Sequence, residues 1–240
     1  MLLYLADSQP ALRFRLLNQL PLRSRFPRDR FSFYDRRYST KKLFFRFITA
    51  ILIVPALLVS ASAATHTVVS GDSLWKIANQ YQVGLSEIKS ANPQIPNFDL
   101  IYPGQKINIP TLDASVINYE QEVIRLVNEI RKQNGLKALT YDWELARVAR
   151  YKSQDMKDNK YFSHTSPFYG SPFQMIKNFG ISYRSAGENI AKGYATPQAV
   201  VNGWMNSSGH RANILNAAYT HIGVGYVSGG HYWTQMFISK

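Results

Sequence analysis

No cysteine occurs anywhere in the 240 residues. That excludes a cysteine nucleophile, cysteine-ligated zinc and iron–sulfur clusters. It also argues against a secreted eukaryotic chain, which at this size would carry disulfides. Carboxylates are scarce: 15 Asp and Glu stand against 28 Lys and Arg, a formal net charge of +13. Such an excess suggests nucleic acid or an anionic surface as partner, but it is unevenly spread. Residues 1–63 hold 11 Lys/Arg and 3 Asp/Glu, so +8 of the +13 sits there and +5 remains beyond it. The remainder shows no basic patch interleaved with aromatics, and nucleic-acid binding is discounted. Familiar hydrolase signatures are missing too, with no HExxH and no GxSxG. No long apolar run is present either: the clean stretch from Phe47 to Val59 is short for a membrane span. What remains, 45% apolar and 13% aromatic, is ordinary for a protein that buries a core. The length suits one large domain or two small ones.

The chain opens on an Arg-rich leader, residues 1–40, typified by "RSRFPRDRFSFYDRR". It has no sustained period, and no fold is assigned to it. It reads either as a cytoplasmic leader or as sequence upstream of the true start. Residues 41–63, "KKLFFRFITAILIVPALLVSASA", follow with a signal peptide's parts. Lys41 and Lys42 form the positive end, an apolar run follows, and Ala61-Ser62-Ala63 supplies small residues for cleavage before Ala64. An uncleaved anchor is the alternative. On the first reading no membrane segment survives cleavage, and the working protein begins near Ala64 outside the membrane.

Residues 66–110 carry a β-α-α-β order in under fifty residues. His66 to Val69 is a short β-branched strand, and Ser70-Gly71-Asp72 is turn chemistry. Asp72 or Ser73 caps a helix with Leu74, Ile77, Ala78 and Tyr81 on one face. Gly84 ends it, Leu85 to Ala91 makes a second helix, and Asn92-Pro93 stops that one. Pro103-Gly104 turns the chain into a closing strand, Lys106 to Ile109. His66 itself looks incidental, as the first residue of a strand. The segments "TVVSGDSLWKIA", "IKSANP" and "LIYPGQKINIP" resemble, in order and spacing, a LysM domain. The resemblance implies binding of N-acetylglucosamine-containing glycan, peptidoglycan or chitin-like, in a shallow groove. Its two sides are Gly71, Asp72 and Ser73, and Asn97, Phe98, Asp99, Leu100 and Ile101. Turn amides can grip an acetamido group and Ile101 can pack its methyl. For Gly71 and Asp72 a purely turn-forming role stands equally open.

A short polar connector, residues 111–116, leads into residues 117–240. Tyr119, Val123, Leu126, Val127 and Ile130 lie on one helical face ending at Gly135. Asp142 caps a second helix, and Thr196 with Pro197 opens a third. "YRSAGENIAKG" is too Gly-broken for a helix, and "HIGVGYVSGGHYWTQMFI" reads as a hairpin about Ser228-Gly229-Gly230. Helices followed by a hairpin suggest a sheet covered by helices. Four segments, "YFSHTSP", "AGENIA", "GWMNSSGHRANIL" and "YWTQMF", resemble in this order the CAP superfamily, and most the cysteine-free bacterial branch of spore-formers and other Gram-positive bacteria. The resemblance implies an α-β-α sandwich with an antiparallel central sheet and a surface cleft. The whole chain is then α/β (α+β), a small βααβ module followed by the sandwich.

In many members of that family the cleft holds a divalent metal on two His and two acids. His164 matches the first His and Glu188 the first acid. After Trp204 no carboxylate follows, Tyr232 stands in the place of the second His, and His231 is one step off. His210 in "GHRANIL" is the expected replacement, and that stretch is expected to line or border the cleft. His164, Glu188 and His210 form a two-His, one-carboxylate set. It would serve either as the metal site, for zinc or magnesium, or as an acid–base cluster in catalysis. The plainer readings stay beside it. His164 bonds across its turn, Glu188 accepts backbone N–H groups, Arg211 pairs with a buried carboxylate or a strand end, and Gly209 is a turn residue.

The expected protein is secreted and cell-wall associated, in the wall or in a spore envelope. It holds peptidoglycan through the first module and a ligand or protein partner in the cleft of the second. The alternative is a metal-dependent or acid–base hydrolase, a peptidase or wall-remodelling enzyme, delivered to peptidoglycan by the first module.

Overall fold

Ser73 is held extended, and its hydroxyl accepts the Lys76 amide at 3.2 Å, which starts helix α1 (Leu74–Tyr81). The structure, a computed structural model, describes residues 64–240. The expected leader (1–40) and expected signal peptide (41–63) lie outside the described residues. Strand β1 (Ala64–Thr67) begins two residues earlier than the expected His66 and pairs antiparallel with β2 (Lys106–Ile109), with α1 and α2 (Leu85–Ala91) between them. Leu74, Ile77, Ala78, Ile88, Ile107 and Ile109 close a small core of their own. Buried Asn92 ties that core's polar seam. Its side-chain amide donates to Ile88 O and Asn108 O at 2.8 Å each, and its Oδ1 accepts from Asn108 N at 2.8 Å.

Asp113 accepts the Ser115 amide at 2.7 Å and caps α3 (Ala114–Gln133). Half of the expected connector, from Ala114 on, is thus the first turn of a helix, because an Asp stands where a cap is needed. Then follow β3 (Thr140–Tyr141), α4 (Trp143–Asp158), α5 (Pro172–Asn178), β4 (Ser185–Lys192), α6 (Pro197–Met205), α7 (Ser208–Ile214), β5 (His221–Val227) and β6 (Tyr232–Ser239). Asp142, Ser171 and Thr196 cap α4, α5 and α6. The sheet order is β3-β5-β6-β4. Its three long strands are antiparallel, as expected, while the two-residue β3 lies parallel to β5.

Alternation along β5 decides the layers. Ile222, Val224 and Tyr226 join Trp233 and Phe237 of β6 in a core with Val123, Val127, Val200, Val201 and Trp204 from α3 and α6. The intervening Gly223 and Gly225 face α4. A β-carbon on either would overlap the α4 backbone at Leu145–Ala146 or Ala149–Arg150. Helix α4 therefore lies directly on the strand, and Ser153 Oγ reaches Gly225 O at 2.9 Å and Thr234 Oγ1 at 2.8 Å. The result is helix, sheet, helix.

Beyond β3 the outer edge of β5 is open, and a carboxylate closes it. Glu120 of α3 is 1% exposed, and its Oε1 accepts the Tyr226 amide at 3.0 Å. Arg150 of α4 meets the same carboxylate through Nε at 2.9 Å and its terminal nitrogen at 2.6 Å. Burial pushes the Glu120 carboxyl up while Arg150 pulls it down, and burial wins. Removing one partner strands the other charge, which typically costs several kcal/mol, whereas replacing both with apolar groups can be neutral. Arg150→Met is therefore expected to lower unfolding stability by about 3 kcal/mol. The double change Arg150→Met/Glu120→Met is expected to recover most of that. Urea unfolding of the two variants checks it, and equal losses in both would refute the stranded-charge account.

Candidate functional site

The loop between α4 and α5 has no regular structure, so side chains must hold it. Asp155, on the last turns of α4, is the post. Its Oδ2 accepts from the Tyr161 hydroxyl and from Ser166 Oγ at 2.7 Å, and its Oδ1 accepts from Asn159 Nδ2 at 2.7 Å. Ser166 Oγ in turn accepts the amides of Phe168 and Tyr169 at 3.0 and 2.9 Å. Its backbone pairs with Gly170, which has φ +74°. Both flanks of the loop are thereby tied to α4, and His164 stands between them.

His164 Nδ1 lies 2.7 Å from Glu188 Oε1 on β4. With an ionised carboxylate as acceptor, Nδ1 is the donor of this bond, and Nε2 is the ring nitrogen that Glu188 does not engage. The imidazole is 46% exposed and the carboxylate 1%. Glu188 Oε2 is buried with no hydrogen-bond partner, which leaves a preorganised acceptor for a donor group. Lys152 of α4 is fully buried and donates to the Tyr161 hydroxyl at 3.0 Å. Burial lowers its pKa, against the pull of the nearby Glu188 and Asp155 charges. Burial and the bond to Asp155 push the Tyr161 phenol up. A His–carboxylate pair is arranged as in a general acid–base unit, with the carboxylate orienting the ring.

Among the described residues no group of three or more His, Cys, Asp or Glu side chains that could hold a metal occurs. His164 and Glu188 are the two donors in direct contact there, and a positive charge on Lys152 beside them would oppose a cation. The zinc or magnesium reading of His164, Glu188 and His210 thus finds no three-donor cluster among the described residues. Asn189, next to Glu188 on β4, donates from Nδ2 to the backbone carbonyl of His210 at 3.1 Å.

The stretch "GWMNSSGHRANIL" covers the edge of β4. Ser208–Ile214, read in part as a turn, is helix α7, with Gly209 inside it. Trp204 Nε1 donates to Ile190 O at 3.3 Å, and Asn213 Nδ2 donates to Glu188 O at 3.2 Å and to Asn189 Oδ1 at 2.8 Å. Arg211 is exposed and forms no ion pair among the described residues. Arg131 of α3 makes the buried anchor instead, donating to Ile214 O at 2.7 Å and Asn216 O at 2.9 Å. Gly187 is needed on this edge, because a β-carbon there would overlap the Tyr219 hydroxyl.

In the first module, Gly71 has φ +89°, Asp72 accepts the Val69 amide at 2.9 Å, and Ser73 caps α1. These three make the turn. His66 is not incidental: its Nε2 lies 2.8 Å from Asp72 Oδ2 and its Nδ1 3.2 Å from the Tyr81 hydroxyl. His66 holds the Asp72 carboxyl below its usual range, aided by the Val69 amide. On the other loop, Asn97 Oδ1 accepts the Asp99 amide at 3.0 Å, and Phe98 and Ile101 pack against the core. Leu100 is exposed, as are Trp75 and Tyr102, which sequence reasoning passed over. Trp75 could have been found as an aromatic on the polar face of α1.

Two family models match the chain. The LysM domain matches residues 66–110, and the Cysteine-rich secretory protein family, CAP, matches residues 124–238. Uncharacterized protein YkwD of Bacillus subtilis is 59% identical over 137 residues, 57% of this chain and 53% of that protein. SpoIVD-associated factor A of the same organism is 54% identical over 46 residues, 19% of this chain and 12% of that protein. The crystal structure of an extracellular protein containing a SCP domain from Bacillus anthracis aligns with TM-score 0.51 at 37% identity, covering 57% of this chain and 47% of that one. The chain thus spans about half the length of YkwD and less of the other two. Among the described residues, no helix is long and apolar enough to cross a membrane.

If Asp155 is the post of the loop, Asp155→Ala should free it. The expected loss is about 2 kcal/mol in urea unfolding, the scale of hydrogen bonds to a charged group. Faster amide exchange should be confined to residues 161–170. Unchanged exchange there would show that the loop is held by something else.

Proposed function

From a chain with a LysM domain at residues 66–110 and a cysteine-free CAP domain at residues 124–238, we propose an envelope protein of the wall or spore surface. It holds peptidoglycan glycan through the LysM domain and a second ligand at the His164–Glu188 cleft. A net charge of +5 beyond residue 63 favours retention on an anionic wall. The observation that carries the cleft is the buried, unpartnered Glu188 Oε2 beneath a half-exposed imidazole. A buried acceptor left open selects a ligand that brings an N–H or O–H.

The same pair favours a second reading, acid–base hydrolysis of a wall component without metal. His164 Nε2 would take the proton of an attacking water, and Glu188 would stabilise the imidazolium. The metal-dependent variant would need donors beyond His164 and Glu188.

The test uses residues 61–240 and purified, insoluble peptidoglycan. Co-sedimentation that soluble N-acetylglucosamine oligomers compete away is expected from the LysM reading, and no sedimentation would overturn it. Mass spectrometry of the supernatant then separates the two cleft readings. Released fragments that fall about 100-fold in Glu188→Gln would establish hydrolysis. No release, with a ligand whose binding Glu188→Gln weakens, would establish a binding cleft. Zinc binding lost in His164→Ala/Glu188→Ala would reinstate the metal.

A further inference from the structure

We propose that the LysM and CAP domains are latched into one body by a carboxylate plug on the first and a guanidinium socket on the second. The plug is Glu87 on α2, and the socket is Arg147 on α4. Arg147 Nε lies 2.5 Å from Glu87 Oε1, and its terminal nitrogen lies 2.9 Å from Oε2 and 2.8 Å from Ser86 Oγ. Fork meets fork, the geometry that gives an arginine–carboxylate pair its direction as well as its attraction.

Three further observations separate this contact from an incidental surface pair. The socket is built by the CAP domain alone. The guanidinium carbon stands 5.3 Å from the Tyr151 ring and 5.0 Å from the Phe179 ring, so its rotamer is held before any carboxylate arrives. Both side chains are largely withdrawn from water, Arg147 at 21% and Glu87 at 26% exposed. Against the upward push of burial, Arg147 and Ser86 hold the Glu87 carboxyl below its usual range.

The third observation is Gly84. Its φ is −73°, a conformation open to any residue, so the backbone does not require glycine there. A β-carbon at this position would overlap Glu87 Oε2 and the Arg147 guanidinium. The missing side chain makes the space in which the pair meets.

Chain length then amplifies a modest attraction. Between Ile109, the end of β2, and Ala114, the start of α3, lie four residues. A link so short sets an effective concentration on the order of millimolar or above, so a contact too weak to join separate proteins can hold these two. Because the contact is ionic, salt weakens it. The latch fixes the LysM surface relative to the CAP cleft, and it does not depend on which ligand either one takes.

Backbone 15N relaxation on residues 61–240, a compact unit by themselves, tests it. At low ionic strength the LysM and CAP amides are expected to report one rotational correlation time. In Arg147→Glu, in Glu87→Arg, and near 1 M salt, where the Debye length is about 3 Å, the LysM amides should report a shorter one. The charge swap Arg147→Glu/Glu87→Arg should bring the two times back together. Gly84→Ala keeps every charge, leaves the backbone unstrained, and should also uncouple the domains. Should Arg147→Glu not fold, Glu87→Ala, which leaves the CAP domain untouched, gives the same readout. Two correlation times in the unsubstituted protein would overturn the proposal. So would a single time that survives both Glu87→Ala and Gly84→Ala.

Discussion

The contact of α4 with β5 through Gly223 and Gly225 is the constraint on which the CAP domain depends. Side chains at those positions would lift the helix off the sheet. With glycine there, the backbone of a helix meets the backbone of a strand, and every residue of α4 is placed with little slack. Four functions are then spaced along one helix. Arg147 meets the LysM domain, Arg150 closes the edge of β5, Lys152 stands under the cleft, and Asp155 holds the loop that presents His164. A shift of α4 would move all four together.

The two sheet edges pose the same problem and receive different solutions. An exposed strand edge invites pairing with another chain. Along β5 the answer is an ion pair whose carboxylate accepts an outward amide, Glu120 with Tyr226 N. Along β4 the outward carbonyls of Glu188 and Ile190 take donors from Asn213 and Trp204. The second solution bears on the cleft, because the strand that carries Glu188 is held from behind by α6 and α7. The Ser-Ser-Gly-His-Arg run between Trp204 and Asn213 supplies the length that brings both donors to one edge. Its His contributes a backbone carbonyl to that edge, through Asn189.

Much of this was legible in the sequence, and what was not has a common cause. Asp142, Thr196 and Ser73 announced their helices because capping is local: the signal lies within three residues of its effect. The Ser228-Gly229-Gly230 turn and the βααβ order of the first module were legible for the same reason. His164 and Glu188 were found through spaced motifs, and the structure brings them to 2.7 Å. Glu120, Lys152 and Arg131 were passed over because a charged residue in a helical pattern reads as a solvated face. Glu120 and Arg131 are held by partners as far as 106 and 85 positions away, and Lys152 by a loop residue 9 positions on. His66 was discounted for the opposite reason, a local position that hid a tie to Asp72 and Tyr81. His210 came from its motif alone, and the structure adds that its backbone carbonyl accepts from Asn189.

The charges around Glu188 tell a consistent story about what the cleft can accept. Its Oε1 is committed to His164, and its Oε2 is open and buried. A cation at Oε2 would compete with Lys152 for the charge of Glu188, which with Asp155 pulls the Lys152 pKa up against the larger effect of burial. A neutral donor meets no such competition and satisfies the Glu188 oxygen that the fold leaves without a partner. Amides and hydroxyls are such donors, and peptidoglycan-type polymers are dense in both. A LysM domain that keeps the protein on such a polymer would then bring the cleft a high local concentration of the groups it suits. The affinity required of the cleft itself falls accordingly, which fits a site with one open acceptor and a half-exposed ring.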